Sequence, residues 1–357
     1  MKKTRSLTLA SGIGLILVLI ALLLVAAPSV VTAKELSLSL HFGPKVGLVP
    51  GVYKPLAQQI EKATNGQVTV KIYYGGTLAK TKDAYNAVVK GIADITYTQQ
   101  AHTPGQFPLV HVIALPFMTP STEVSTKVFH ELYKKFPELR KEHGNVHVLW
   151  LWSTLPIEIH TSKKPVKKLE DLKGMKIATQ ASVAPTLEAL GAVPVVMGTP
   201  AFYPSLEKGV VDGVSIAWGA WKGWKIYEVT KYHTNCHIST WPCCTVMNKK
   251  TWNSFSPEIQ EKITCVASNG PVWHVAAVNY EKSNAYKIAK KGGHEIFNLS
   301  PAEFARWKAT ARPVWDKWAS KMDAKGLPGR AILDETINLV EKYRGQWIRP
   351  VDLLWQP

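Results

Sequence analysis

Apolar and polar residues alternate at Leu36, Leu38 and Leu40, the period of a half-buried strand, and predict one over 36–41. Leu56 and Ile60 are four apart with charge between them, and Asn65-Gly66 follows. That spacing predicts a helix over 52–64, ended by residues that tolerate positive φ. Val68–Tyr73 alternates again and stops at Gly75-Gly76. A helix over 84–90 closes at Gly91, and Ile95–Tyr97 is a short apolar strand. The opening therefore reads β-α-β-α-β, a sheet with helices on its faces.

A second series follows. Strands are predicted over 146–152, 176–179, 193–197 and 211–217, with helices over 183–190 and 203–208 between them. A basic, proline-containing connector spans 163–173. Two α/β series on one chain predict two lobes with a cleft between them. From Ser256 onward the pattern is mainly helical, and Gly270-Pro271 predicts a kink in one long stretch.

The first residues carry a different signal. Lys2, Lys3 and Arg5 precede an apolar run over 13–27, and Val31-Thr32-Ala33 supplies small residues before Lys34. This is a secretory leader pattern, expected to be cleaved after Ala33 and to deliver the chain to the periplasm. An uncleaved anchor is the competing reading. The formal charge is +17, but its lysines are scattered in short groups such as Lys163-Lys164 and Lys290-Lys291. No nucleic-acid motif accompanies them, so no nucleic-acid partner is expected. Four cysteines (Cys236, Cys243, Cys244, Cys265) in an exported chain allow a disulfide. A bridge from Cys236 to Cys243 or Cys244 is one expectation. Their spacing does not suit zinc, and no cofactor or metal is expected.

Several segments taken in order resemble the DctP-type substrate-binding proteins of TRAP transporters. They are Ile60–Val68 (IEKATNGQV), Lys90–Ile95 (KGIADI), Pro104–Leu109 (PGQFPL), Leu115-Pro116-Phe117, Leu169–Ile177 (LEDLKGMKI), Leu190-Gly191-Ala192, Lys208–Gly213 (KGVVDG) and Val246–Lys249 (VMNK). Each is weak alone; together they cover nearly all of residues 34–357. The resemblance implies an α/β, two-lobe, periplasmic-binding-protein-like fold, with crossing strands and a long helix spanning both lobes. It implies residues 34–156 plus 240–282 for the first lobe, and 157–239 plus 283–357 for the second. It also implies a monomeric receptor that closes on a small solute and docks on TRAP membrane subunits.

In that family an arginine follows the Lys-Gly-Met-Lys-Ile motif and holds the ligand carboxylate, a two-pronged contact suited to a planar anion. Here the position is Ala178. A second arginine position is Glu158, and an asparagine position is Ile216. Candidate replacements are His41, Lys45 and His160. Aromatic residues crowd the same region: Tyr97, Trp150, Trp152, Trp218, Trp221 and Trp224. The ligand-binding set implied by the resemblance is His41, Tyr97, Gln99, Trp152, Glu158, Ala178, Thr199, Ile216, Trp218 and Trp221. For each tryptophan, core packing is the plain alternative.

Three ligand chemistries stay open. A cationic amine would use cation–π contacts, with Glu158 as counter-charge. A flat aromatic compound would stack between rings, its polar end on His41, Gln99 or backbone donors. An aliphatic acid would need a lysine in place of the arginine. An enzyme is not expected: His143 and His147 are four apart, but the pattern sets them on a loop and a strand, not on one helix face. A ligand-sensing module is the alternative to transport, and a periplasmic metal-dependent enzyme the remote one.

Overall fold

The computed structural model describes residues 33–103 and 105–356. The leader expected over 1–33 lies outside the described residues, Ala33 excepted. Eleven strands are present among them: β1 (Lys34–Ser39), β2 (Val68–Tyr73), β3 (Ile95–Gln99), β4 (Val146–Ser153), β5 (Glu158–Thr161), β6 (Lys176–Thr179), β7 (Val193–Val196), β8 (Gly213–Ile216), β9 (Tyr232–Asn235), β10 (Pro242–Asn248) and β11 (Glu295–Asn298). They form a five-stranded sheet, ordered β2-β1-β3-β10-β4, and a six-stranded sheet, ordered β11-β9-β5-β8-β6-β7. The first series becomes the five-stranded sheet, which also takes β4, read as the opening strand of the second series; the rest of the second series falls in the six-stranded sheet.

β10 is the strand that ties late sequence into the first sheet. It runs antiparallel between β3 and β4, so Cys243 stands opposite Gln99 on one side and Trp152 on the other. In the second sheet β6 lies parallel between β7 and β8, while β5 is antiparallel to both β8 and β9. The carboxyl ends of β6, β7 and β8 thus point the same way, the usual position for ligands in open α/β sheets.

Gly270 and Pro271 do not kink one helix; they start a new one. A helix over Pro257–Ala267 ends, and the next runs Gly270–Lys291 with the proline in its first turn, where its missing N–H costs nothing. Gly270 is required by packing, because a Cβ there would overlap the Trp150 ring. At 22 residues the second helix is about 33 Å long. Its beginning buries His274 beside Trp150 and Trp152, and its end buries Ala285 and Ala289 in the core under the second sheet. One rigid element therefore spans both lobes.

The C-terminal helices divide between the lobes. The Pro301–Ala311 helix packs Trp307 and Ala311 into the second-lobe core. The Pro313–Asp323 and Gly329–Tyr343 helices pack Trp315, Ala319, Met322, Ile332, Leu333 and Val340 into the first-lobe core. The assignment of all of 283–357 to the second lobe is corrected accordingly. Amphipathic stripes demand burial, but nothing in them names the surface that receives them.

All four cysteines are free, against the expected bridge. Cys236 is buried in the second-lobe core, and Cys243 and Cys244 in the first. The thiol of Cys243 contacts the Tyr97 hydroxyl at 3.4 Å.

Candidate ligand cleft

Two chain segments cross between the sheets. Residues 154–157 carry β4 into β5, and residues 236–241 carry β9 back into β10. They bond to each other as a short ribbon: Thr154 N donates to Trp241 O (3.0 Å), Ile157 N to Ser239 O (2.8 Å) and Ile238 N to Ile157 O (3.0 Å). With the long helix these are the connections across which lobes of this kind hinge.

Glu158 stands where the crossing enters the second sheet. It is 1% exposed. Its Oε2 accepts from the backbone N–H groups of Cys236 (2.7 Å) and His237 (2.8 Å), and its Oε1 lies 3.2 Å from His237 Nε2. Burial pushes its pKa up, against the pull of His237, the two amides and Lys282. His237 adopts left-handed backbone geometry (φ 49°) to bring its own N–H and ring onto the same carboxylate. Glu158 thus fastens one crossing segment to the other.

Glu158, His160, Ala178, Val214 and Ile216 share one sheet face, because β5 pairs Glu158 with Ile216 and His160 with Val214, and β6 pairs Ala178 with Val214. That face is covered. Ala178 is 0% exposed and packs in one core with Ile216, Phe202, Trp218, Trp221, Ala285 and Ala289. The tryptophans are polar-satisfied: Trp218 Nε1 donates to Asn235 Oδ1 (2.9 Å) and Trp221 Nε1 to Thr230 Oγ1 (2.9 Å). Tyr286, from the long helix, donates to the same Asn235 oxygen (3.0 Å) and lies 4.5 Å from Trp218, ring to ring.

Three histidines continue this network. His160 Nε2 is 3.0 Å from Ile216 O, His160 Nδ1 is 2.8 Å from His233 Nδ1, and His233 Nε2 is 2.9 Å from His294 Nδ1. A carbonyl can only accept, so His160 donates from Nε2 and accepts at Nδ1; His233 then donates to it and accepts from His294. One set of neutral tautomers satisfies every contact. Burial holds His160 down to about 3 and lowers His233 further.

The first-lobe candidates gather elsewhere. Gln99, Cys243 and Trp152 share a rung, and Tyr97 lies on the same face two residues back along β3. Tyr97 stacks on His41 (5.5 Å) and tilts against Trp152 (6.0 Å); Trp152 lies 4.1 Å from the His274 ring. His41 is half-buried and its pKa falls to about 4, through burial and then the charge of His102. It is neutral at neutral pH. Thr199, after β7, accepts from Gln180 Nε2 at 3.0 Å, so these two join the ends of β6 and β7.

The ten candidates therefore form two groups and a pair: His41, Tyr97, Gln99 and Trp152 in the first lobe; Glu158, Ala178, Ile216, Trp218 and Trp221 on the covered second-lobe face; Thr199 with Gln180. Trp224 is exposed. Sequence reasoning overlooked Trp241, Gln180 and His237. The signal for Trp241 and His237 was their place in the returning crossing segment, which the strand pattern did not reveal. Of the cations, Lys282 comes near Glu158 and lines a concavity of ≈ 450 Å³ with Asn279, Ser283 and Tyr286. His143 bonds Gln100 (2.7 Å) and His147 stacks on Trp252 (3.6 Å). No cluster able to hold a metal occurs among the described residues.

Comparison with known proteins gives a consistent picture. The model of the bacterial extracellular solute-binding proteins, family 7 (DctP), matches residues 48–321. The C4-dicarboxylate-binding periplasmic protein DctP of Rhodobacter capsulatus is 26% identical over 75% of this chain and 81% of its own length. A marine-metagenome TRAP solute-binding protein specific for aromatic acid ligands, solved with 3-hydroxybenzoate, superposes with TM-score 0.81. It is 28% identical, and the match covers 88% of this chain and 100% of that one. A TRAP solute-binding protein of Rhodoferax ferrireducens T118, solved with copurified benzoate, gives TM-score 0.80 at 25% identity, over 87% of this chain and 98% of that one.

Proposed function

The chain belongs to family 7 of the bacterial extracellular solute-binding proteins, the DctP-type receptors of TRAP importers, and from that membership we propose that its solute is an aromatic monocarboxylate. The observation that carries this reading is the run of rings at the first-lobe end of the cleft. His41, Phe42, Tyr97 and Trp152 stand within 5.0–6.0 Å of one another in successive pairs; half-buried His41 and Phe42, backed by buried Tyr97 and Trp152, are suited to a flat ring. The two solved likenesses carrying benzoate-type acids support it. The amine reading loses its counter-charge, because both Glu158 oxygens are already occupied within the protein.

On this reading the leader is removed after Ala33 and the receptor works in the periplasm as a monomer. The lobes close on the solute by bending at residues 154–157 and 236–241. The closed form then presents the solute to the TRAP membrane subunits. Capture and release are its whole task; no chemical step is assigned to it.

The test is a thermal-shift panel on protein unfolded and refolded to remove copurified ligand. Benzoate, 3-hydroxybenzoate and mandelate are set beside succinate, malate and a quaternary amine. A ligand that binds only the native state raises the midpoint by mass action. Aromatic acids are expected to raise it. A rise with succinate or the amine and none with the aromatic acids overturns the proposal.

A further inference from the structure

An acid group must meet hydrogen-bond donors when it leaves water. The family's arginine position cannot supply them here, since it is Ala178, buried in an apolar core. Elsewhere the structure holds donors in reserve. Among the described residues the buried polar atoms lacking a hydrogen-bond partner include Trp152 Nε1, Trp241 Nε1 and His41 Nδ1. An indole N–H can only donate, and a buried donor without an acceptor is uncommon enough to require a reason. Trp152 is 1% exposed and Trp241 5%.

The register brings these groups together. Trp152 is opposite Cys243, and the ladder continues through Thr154 and Trp241, which bond both ways: Thr154 N to Trp241 O, and Trp241 N to Thr154 Oγ1, each 3.0 Å. Trp152 and Trp241 are therefore diagonal neighbours on one face, Trp152 packed against Tyr97 and His274 and Trp241 against His102. Tyr97 links Trp152 to His41, its ring 6.0 Å from the one and 5.5 Å from the other, and the His102 ring lies 6.5 Å from that of Trp241. The set lies where the first sheet meets the crossing strands. Lys282, the cation near Glu158, already lies over the Tyr286 ring at 5.9 Å.

Resting on the aromatic-acid reading above, we propose that the solute's carboxylate is received by the first lobe, by the indole N–H groups of Trp152 and Trp241 with His41 beside them. These neutral donors replace a second-lobe guanidinium. A carboxylate accepts strong hydrogen bonds from neutral donors. Without a fixed cation the site can compensate one carboxylate and not two, so it selects monoacids over dicarboxylates.

The experiment measures benzoate and 3-hydroxybenzoate affinity by calorimetry for the wild type and for Trp152→Phe, Trp241→Phe and Lys282→Met. Either Phe variant is expected to weaken binding about ten- to a hundredfold, and Lys282→Met to leave it unchanged. Benzothienylalanine at position 152 or 241 keeps the ring's shape and removes only the N–H. It is expected to lose the same affinity without lowering the midpoint of the unliganded protein. Unchanged affinity in both Phe variants, or loss confined to Lys282→Met, overturns the proposal while leaving the aromatic-acid reading standing. A wild type that binds neither acid sinks that reading, and this inference with it.

Discussion

The covered face of the second sheet and the cleft end of the first sheet are both rich in tryptophan and histidine, yet they treat polar atoms in opposite ways. On the second-lobe face Trp218, Trp221, Glu158, His160 and His233 each have a named partner inside the protein. At the first-lobe end Trp152 Nε1, Trp241 Nε1 and His41 Nδ1 have none. A satisfied network fixes a structure, whereas an unsatisfied one leaves bonds for something else to make. Aromatic crowding alone therefore does not locate a binding surface. What locates it is the crowding that leaves donors unused.

The sharpest way to break that contrast is Ala178→Arg, which supplies the arginine that the motif resemblance implies at this position. If the second-lobe face is sealed as described, the guanidinium enters an apolar core in which the carboxylate on that face, Glu158, is already bonded to Cys236 and His237. The expected result is a loss of several kcal/mol, read as a fall of more than about 10 °C in the midpoint or as insoluble protein. A variant that keeps its midpoint and gains succinate binding would mean that the face opens to the cleft.

Acid tests the same contrast by titration. In the second lobe His160 is held down to about 3; in the first, His274 falls to about 3 and His130 and His143 to about 4, all chiefly by burial. A histidine lowered in the native state binds its proton more readily when unfolded. Its contribution to stability is complete above the ordinary value near 6.5 and is lost as pH falls toward 4 and 3. Each such histidine contributes a slope of about 1.4 kcal/mol per pH unit within that window. Urea unfolding at pH 7, 6, 5 and 4 is expected to show stability dropping steeply below 6.5. Replacing His160 by Gln is expected to remove about one proton from that slope, since protonating His160 would set two donors face to face across its contact with His233. An unchanged slope would mean that the chain already carries a proton in the folded state.

How much of this was legible beforehand follows from what local pattern encodes. β2 and β6, and the helix starting at Ala84, matched the alternation and glycine stops closely, because period and punctuation are local properties. The Thr122–Lys135 helix was overlooked although Val124, Val128 and Leu132 mark its buried stripe and Ser121 caps it; its signal was present. β10 was read only as a short motif, since a fully buried strand shows no alternation. In the site, Glu158, Ala178 and Ile216 were named from motif positions alone; that they share one sheet face comes from the register. Their enclosure by Trp218 and Trp221 depends on how far a helix leans onto a sheet, which no short-range spacing records. The missing signal for Trp241 was its lack of a partner, and that exists only once every other side chain is placed.

The smallest expected effect isolates the contrast to a single N–H. Trp152→Phe and Trp221→Phe remove the same volume from two fully buried sites, so the loss of packing is similar in kind. They differ in hydrogen bonding. Trp221→Phe breaks the bond to Thr230, whose hydroxyl still donates to Ile226 O at 2.8 Å. Trp152→Phe breaks none and frees the core of an unpaired donor. In the absence of solute, Trp221→Phe should therefore be the more destabilising by about 1 kcal/mol, measured by urea unfolding of the two variants under identical conditions. Equal losses would show that the indole of Trp152 has an acceptor after all. The two regions would then be alike, and the first lobe would hold no reserve of donors for a ligand to use.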